Sequence, residues 1–118
     1  MLKVSNLNSY YGKSHILQGI NLEINKGEIV SLLGRNGVGR STVIKSIMGM
    51  VYSEGSIKFN NVEIIGKAVH QISNMGLAYV SENRDIFSDL TVKENLELGK
   101  KFTKKGIVWS EEELLDLF

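Results

Sequence analysis

Gly34, Gly37 and Gly39 stand close together in the chain, and Arg40, Ser41 and Thr42 follow at once. The whole segment is Gly34-Arg35-Asn36-Gly37-Val38-Gly39-Arg40-Ser41-Thr42. The apolar run Ile29-Val30-Ser31-Leu32-Leu33 precedes it, and Val43, Ile44, Ile47 and Met48 come after it at helical spacing. A strand, a glycine-rich loop and a helix in that order are what a polyphosphate needs. The loop must wrap a dense anion with backbone N–H groups, so side chains must be absent where the backbone comes close, and the three glycines meet that need. The helix then opens under the phosphates with N–H groups that have no helical acceptor and with the positive end of its dipole. Gly34, Asn36, Gly37, Gly39, Arg40, Ser41 and Thr42 are the candidate phosphate-binding residues. Ser41 Oγ is the candidate Mg²⁺ ligand, and the Thr42 hydroxyl is a further contact. The competing reading is a glycine-rich turn with no ligand. An apolar strand before, three glycines within, and a basic residue with Ser-Thr after together argue against chance.

The segment departs from the phosphate-loop motif once. Where Gly-x₄-Gly-Lys-Ser/Thr calls for lysine, this chain has Arg40. The charge is kept, but a compact ammonium on a thin stem is replaced by a planar, wider guanidinium. Two unit charges 4 Å apart interact by about 4 kcal/mol at an effective dielectric of about 20. Losing a fraction of that through misplacement costs about tenfold or more in rate. Arg40 is therefore expected to weaken nucleotide binding and to slow hydrolysis strongly.

The elements that would hold this loop can be read from patterning. Residues 2–6 read as a strand, 9–13 as a turn, and 16–24 as a half-buried strand with Ile20, Leu22 and Ile24 on one face. Residues 25–28 form a tight turn that predicts a hairpin into a strand at 28–33, buried on both faces as in a parallel sheet. A helix is expected over 41–50, a turn at Glu54-Gly55, and strands at 56–60 and 62–65 around Asn60-Asn61. Val69, Ile72 and Met75 mark a short helix that Gly76 stops, and 77–80 reads as another buried strand. Residues 81–89 are polar loop. Helix 91–98 takes Thr91 or Asp89 as cap, with Val92 and Leu96 inward. Residues 100–106 form a basic loop, and Ser110 with Glu113 makes a capping box for a last helix. Trp109 and the methionines are expected in the core. Antiparallel strands first, then strand–loop–helix, give an α/β fold class.

Composition narrows the function. The chain has 118 residues, 14 basic and 13 acidic, for a net charge of +1. Nothing in that balance calls for a nucleic-acid partner. There is no cysteine, so thiol catalysis and disulfides are excluded for this sequence. No apolar run reaches the about 18 residues of a membrane span, and the opening residues lack a secretory signal, so the cytoplasm is the expected compartment. His15 and His70 are expected as surface or satisfied residues rather than ligands. Lys100, Lys101, Lys104 and Lys105 read as a solvated loop before they read as a lipid-headgroup contact.

Along nearly its whole length the chain resembles the ATP-binding subunits of ABC transporters. Residues 1–24 with Tyr10-Tyr11-Gly12 resemble their opening antiparallel strands, and Gly27-Glu28-Ile29-Val30 leading into Gly34 matches their approach to the Walker A loop. Gly55-Ser56-Ile57 resembles the strand after the helix. Ser81-Glu82-Asn83-Arg84-Asp85-Ile86-Phe87 and Leu90-Thr91-Val92-Lys93-Glu94-Asn95-Leu96 resemble the Q-loop and the segment after it. These two blocks resemble most the branched-chain amino-acid uptake branch, which typically has Pro-Glu-Gly-Arg where this chain has Ser-Glu-Asn-Arg.

The resemblance implies a P-loop NTPase of ABC type: an N-terminal antiparallel β subdomain plus the start of the parallel-sheet core. It implies ATP and Mg²⁺ as ligands, with Tyr11 stacking on adenine. An ordinary hairpin aromatic is the competing role for Tyr11, and Tyr10 competes for the stacking. It implies that Glu82, at the Q-loop position, reaches Mg²⁺ or the attacking water as a catalytic and metal-binding residue; a solvated loop carboxylate is the plain alternative. It implies a second ATP-binding subunit as partner, and membrane permease subunits met through residues 84–96, from Arg84 to Leu96, with Phe87 as an apolar anchor there or as core. The expected location is peripheral, on the inner face of the cell membrane. The family's Leu-Ser-Gly-Gly-Gln signature, its strand ending in Asp-Glu and its switch histidine do not occur in these residues. Residues 1–118 are thus expected to be the N-terminal portion of a single ABC ATP-binding domain. A nucleotide-binding module without turnover, or a non-functional remnant, are the alternatives. In the implied fold, strand 28–33 lies between parallel strands from later sequence, and without them its edges stay open.

Overall fold

The computed structural model describes residues 1–35, 37, 39–83, 85–99 and 109–117. The expected basic loop at 100–106 lies outside the described residues, as do Asn36, Val38 and Arg84. The chain divides into two compact units, Met1–Tyr79 and Val80–Phe118.

In the first unit, β1 (Leu2–Tyr11) and β2 (Ser14–Ile24) form an antiparallel hairpin with Tyr11 opposite Ser14. Gly12 makes the turn at φ 58°, a conformation that costs glycine little. The sequence placed β1 only at 2–6 and a turn at 9–13; the strand instead runs to Tyr11. An irregularity at Asn6, which has φ 49°, lets the alternation resume beyond it. β3 (Tyr52–Phe59) pairs with the other edge of β1. Glu54-Gly55, expected as a turn, lies inside β3. Gly55 takes φ 113° beside the β1 irregularity, and a Cβ there would run into the Asn6 carbonyl. Asn60 and Asn61, at φ 49° and 65°, make a two-residue turn into β4 (Val62–Glu63), the pattern of a type I′ hairpin. The sheet order is β2-β1-β3-β4, antiparallel throughout.

One face of this sheet carries the core. Leu2, Val4, Leu7, Leu17, Ile57 and Phe59 are buried with Val43 of α1 (Arg40–Ile47) and Met48 just beyond it, and Ile64 and Ile72 complete the cluster. Gly49 ends α1 at φ 75°, with its N–H bonded to the Ser46 carbonyl at 3.1 Å. α2 (Val69–Asn74) buries Ile72 alone, with Met75 half-buried and Gly76 next at φ 108°.

Two expected core strands do not form. The turn at 25–28 is present, with the Glu28 N–H bonded to the Asn25 carbonyl at 3.1 Å and Gly27 at φ 78°. Residues 28–33 then run on without a ladder, so there is no hairpin with β2. Ile29 is 97% exposed and Leu33 91%. Residues 77–80 likewise pair with nothing; Leu77 and Tyr79 are half-buried against the core, while Val80 is 92% exposed. A parallel strand needs a neighbour to take its N–H and C=O groups, and no described strand lies beside these two segments.

In the second unit, α3 (Val92–Leu98) is capped by Thr91, whose Oγ1 accepts the Glu94 N–H at 3.1 Å. Val92, expected inward, is exposed, and Leu96 is half-buried. α4 (Glu111–Leu115) has the expected capping box. The Ser110 N–H bonds Glu113 Oε2 at 2.7 Å, and the Glu113 N–H bonds Ser110 Oγ at 3.1 Å. Neither helix buries a residue, and Trp109, expected in a core, is exposed. Of the methionines, Met48 is buried and Met75 half-buried, while Met1 and Met50 are exposed.

Candidate functional site

The phosphate-loop candidate leaves the exposed 28–33 segment and enters α1. Gly37 takes φ 84° and Gly39 takes φ 97°. Gly39 is the residue just before α1, and two demands converge on it. Its backbone is left-handed, and a Cβ there would lie 2.8 Å from Leu17 Cδ2 and 3.5 Å from Ile16 Cγ2 of β2. The loop is pressed onto the hairpin at this point, so glycine is required by the protein as well as by any ligand. The spacing of glycines did not disclose that packing.

Helix α1 has its first internal bond from the Val43 N–H to the Gly39 carbonyl, 3.0 Å. The N–H groups of Ser41 and Thr42 lie in the first turn, where a helix offers no acceptor of its own. No side chain caps this end and no acidic residue stands in the first turn. α3 and α4 contrast with it: Thr91 or Ser110 caps them, and they carry Glu94 and Glu111 to Glu113 in their first turns. Arg40 opens the helix at an exposed position, Ser41 is exposed, and Gly34 is exposed. Thr42 is only 5% exposed, and its carbonyl accepts a bond from Ser46 Oγ at 2.7 Å. Ser41 therefore presents the accessible hydroxyl of the pair, and one such oxygen suits Mg²⁺, which takes its remaining ligands from phosphates and water. Asn36 lies outside the described residues.

The two tyrosines separate by face. Ser9 touches Ser46 of α1, so Ser9 points to the helix side of the sheet. Alternation puts Tyr11 on that side and Tyr10 on the other. Tyr10 is already engaged there, stacked on His15 with centroids 4.4 Å apart and an interplanar angle of 16°, with Tyr52 at 6.0 Å. His15 Nε2 also lies 2.9 Å from Asn8 Oδ1, the satisfied surface role expected of it. Tyr11 is exposed, with no ring partner among the described residues.

Glu82 belongs to the second unit, exposed in a turn. In the same unit Ile86 and Phe87 are exposed. Asn95 braces the loop that carries them: the Phe87 N–H bonds Asn95 Oδ1 at 3.0 Å, and Asn95 Nδ2 donates to the carbonyls of Phe87 (3.1 Å), Leu90 (3.3 Å) and Thr91 (2.9 Å). Sequence reasoning did not single out Asn95. It also missed three serines that meet where α1 packs on the sheet: Ser9, Ser46 and Ser53. The available signal was polar residues at inward positions of an alternating strand, Leu7-x-Ser9-x-Tyr11.

A glycine loop with left-handed turns delivers the chain into an uncapped helix end beside an antiparallel sheet, an arrangement that fits a phosphate-binding loop of the P-loop class. The ABC transporter family profile matches residues 17–117, and the chain belongs to that family. The branched-chain amino-acid transport ATP-binding protein BraG of Pseudomonas aeruginosa is 41% identical over 106 residues, which are 89% of this chain and 46% of BraG. The galactose/methyl galactoside import ATP-binding protein MglA of Treponema denticola is 37% identical over 92% of this chain and 22% of MglA. Among solved structures, an ATP-binding subunit of an ABC transporter superposes with a TM-score of 0.71 at 31% identity, covering 82% of this chain and 40% of that one. A nucleotide-free ATP-binding cassette gives 0.60 at 33% identity, over 64% of this chain and 30% of that one. The fold is of ABC type, and the chain spans less than half the length of these curated relatives. No helix among the described residues is long and apolar enough to cross a membrane.

Proposed function

We propose that residues 34–42 bind the triphosphate of Mg-ATP and that Tyr11 stacks on its adenine. The complete protein then hydrolyses ATP to energise an ABC importer. The observation that carries this reading is the start of α1: left-handed Gly39, no capping side chain, no acidic residue in the first turn. Backbone N–H groups there hold the phosphate oxygens, and Ser41 Oγ supplies one ligand to Mg²⁺. A bound cation would neutralise phosphate charge. Glu82, from the second unit, serves as the Q-loop carboxylate toward the cation or the attacking water. A second ATP-binding subunit closes the site, and the 84–96 stretch with exposed Ile86 and Phe87 meets the permease. Residues 1–118 act as the N-terminal portion of one ATP-binding domain, peripheral to the membrane on its cytoplasmic side.

The similarity to BraG supports branched-chain amino acids as the transported solute. The similarity to MglA favours a sugar importer as the second reading. Arg40 favours a third, in which nucleotide binds without turnover. Titration of the protein expressed from its complete reading frame with Mg-ATP tests the site. Saturable binding that is lost on Gly39→Ala supports it, and nucleotide bound elsewhere in a soaked crystal overturns it. Transport of leucine against galactose in reconstituted vesicles separates the importers.

A further inference from the structure

Three serines meet between the sheet and α1, the helix after the glycine loop. Ser9 of β1 is fully buried, with its Oγ 2.7 Å from Ser46 Oγ on α1 and 2.8 Å from Ser53 Oγ on β3. Ser46 Oγ lies 2.7 Å from the Thr42 carbonyl oxygen, and Ser53 Oγ lies 3.0 Å from the Val51 carbonyl oxygen. A continuous row of short oxygen–oxygen contacts thus runs from β3 through β1 to the first turn of α1.

Each hydroxyl carries one proton, so three protons serve these four short contacts. There are four ways to share them, each leaving one contact bare, and three of the four keep a hydrogen between Ser9 and Ser46. In one of them Ser53 donates to Ser9, Ser9 to Ser46 and Ser46 to Thr42, and such aligned donors strengthen one another. Leu7 on β1, Val43 on α1 and Met48 just after α1 are buried apolar residues close to them in the chain. An apolar pair at 9 and 46 would hold the fold nearly as well, because replacing both partners of a buried hydrogen bond by apolar groups is close to neutral. What an apolar pair lacks is a preferred distance. A directional contact of 2.7 Å fixes where α1 sits over β1.

We infer that Ser9 and Ser46 are positioning residues for the triphosphate. They hold the first turn of α1 at one height over the sheet, through the Thr42 carbonyl, and so aim the N–H groups of Ser41 and Thr42. The inference rests on the assignment of residues 34–42 as the phosphate site.

The protein from its complete reading frame, with Mg²⁺ present, is titrated with ATP and separately with adenosine. Ser9→Ala and Ser46→Ala each weaken ATP by about three- to tenfold and leave adenosine unchanged, since the loss falls on phosphate contacts. The double variant is no weaker than the worse single one, because both remove the same contact. Ser46→Thr keeps a hydroxyl able to bond the carbonyl four residues back and restores ATP affinity. Equal losses for ATP and adenosine, single losses that add in the double variant, or a Ser46→Thr protein no better than Ser46→Ala overturn the inference. If Ser9→Ala fails to fold, Ser46→Ala against Ser46→Thr decides alone. Absence of ATP binding by the unsubstituted protein is a separate result: it removes the phosphate-site assignment, and the positioning role with it.

Discussion

At position 40 a planar guanidinium occupies the place that the phosphate-loop motif gives to an ammonium. Arg40 opens α1, and in the proposed phosphate site a wider head group there would displace either phosphate or backbone. Arg40→Lys is expected to raise turnover of the complete protein about tenfold or more, equivalent to about 1.4 kcal/mol of transition-state stabilisation. Steady-state phosphate release measures it, and unchanged turnover contradicts it. Gly39 is the more rigid constraint. With φ 97° and Leu17 Cδ2 at 2.8 Å from a would-be Cβ, Gly39→Ala is expected to cost about 2–3 kcal/mol. The denaturation midpoint reports that cost, and ATP binding should vanish with it. Glycine spacing made the loop legible in the sequence. The contact with Leu17 was not legible, because the partner lies on a different element, far away in the chain.

Between neighbouring elements, hydrogen-bonded side chains set geometry that alternation alone does not. Glu63 on β4 accepts from Ser56 Oγ (2.6 Å), the Ile57 N–H (2.8 Å) and the Ile65 N–H (3.4 Å). Burial pushes its carboxyl up, but those hydrogen bonds and Lys58 together outweigh it and hold the group below the ordinary carboxylate value. A carboxyl lowered in the folded state adds stability above its unfolded pKa and loses it as pH falls through the folded value. Urea midpoints tracked from about pH 6 to about pH 3 should therefore fall less steeply for Glu63→Gln than for the unsubstituted protein. Equal slopes would refute the role. In the second unit, Asn95 ties the Phe87 loop to α3. Asn95→Ala should speed hydrogen exchange at the Phe87 and Leu90 amides by about tenfold, corresponding to about 1–2 kcal/mol of local opening, and leave β1 and β3 unchanged. Caps and turns at this scale were legible because their signals are local: Thr91, the Ser110–Glu113 box, Asn60-Asn61. The strands at 28–33 and 77–80 were misjudged, because an apolar run states a demand for burial and not whether a partner strand is at hand. The end of β1 was misjudged for the opposite reason, since an irregularity at Asn6 broke an alternation that the pairing with β3 restores.

At the scale of the molecule, the most exposed apolar side chains among the described residues stand where the expected parallel sheet would begin. Ile29 at 97%, Leu33 at 91% and Val80 at 92% exposure fall on the two unpaired segments. Both segments also leave backbone N–H and C=O groups without a ladder, the combination that recruits another chain edge to edge. The sandwich of Leu7, Leu17, Val43, Ile57 and Ile72 is closed by contrast, so β1 to β3 and α1 hold their own core. A product of these 118 residues alone should accordingly keep strand structure while binding a hydrophobic dye and associating at micromolar concentration. Analytical ultracentrifugation and dye fluorescence measure both properties. Replacing Ile29 and Leu33 together by threonine, which keeps strand propensity and removes apolar surface, should shift the product toward monomer without lowering its melting temperature, because neither side chain contributes to the core. A soluble monomer with a sharp cooperative melt from the unsubstituted sequence would show instead that the sheet is complete without partners beside 28–33.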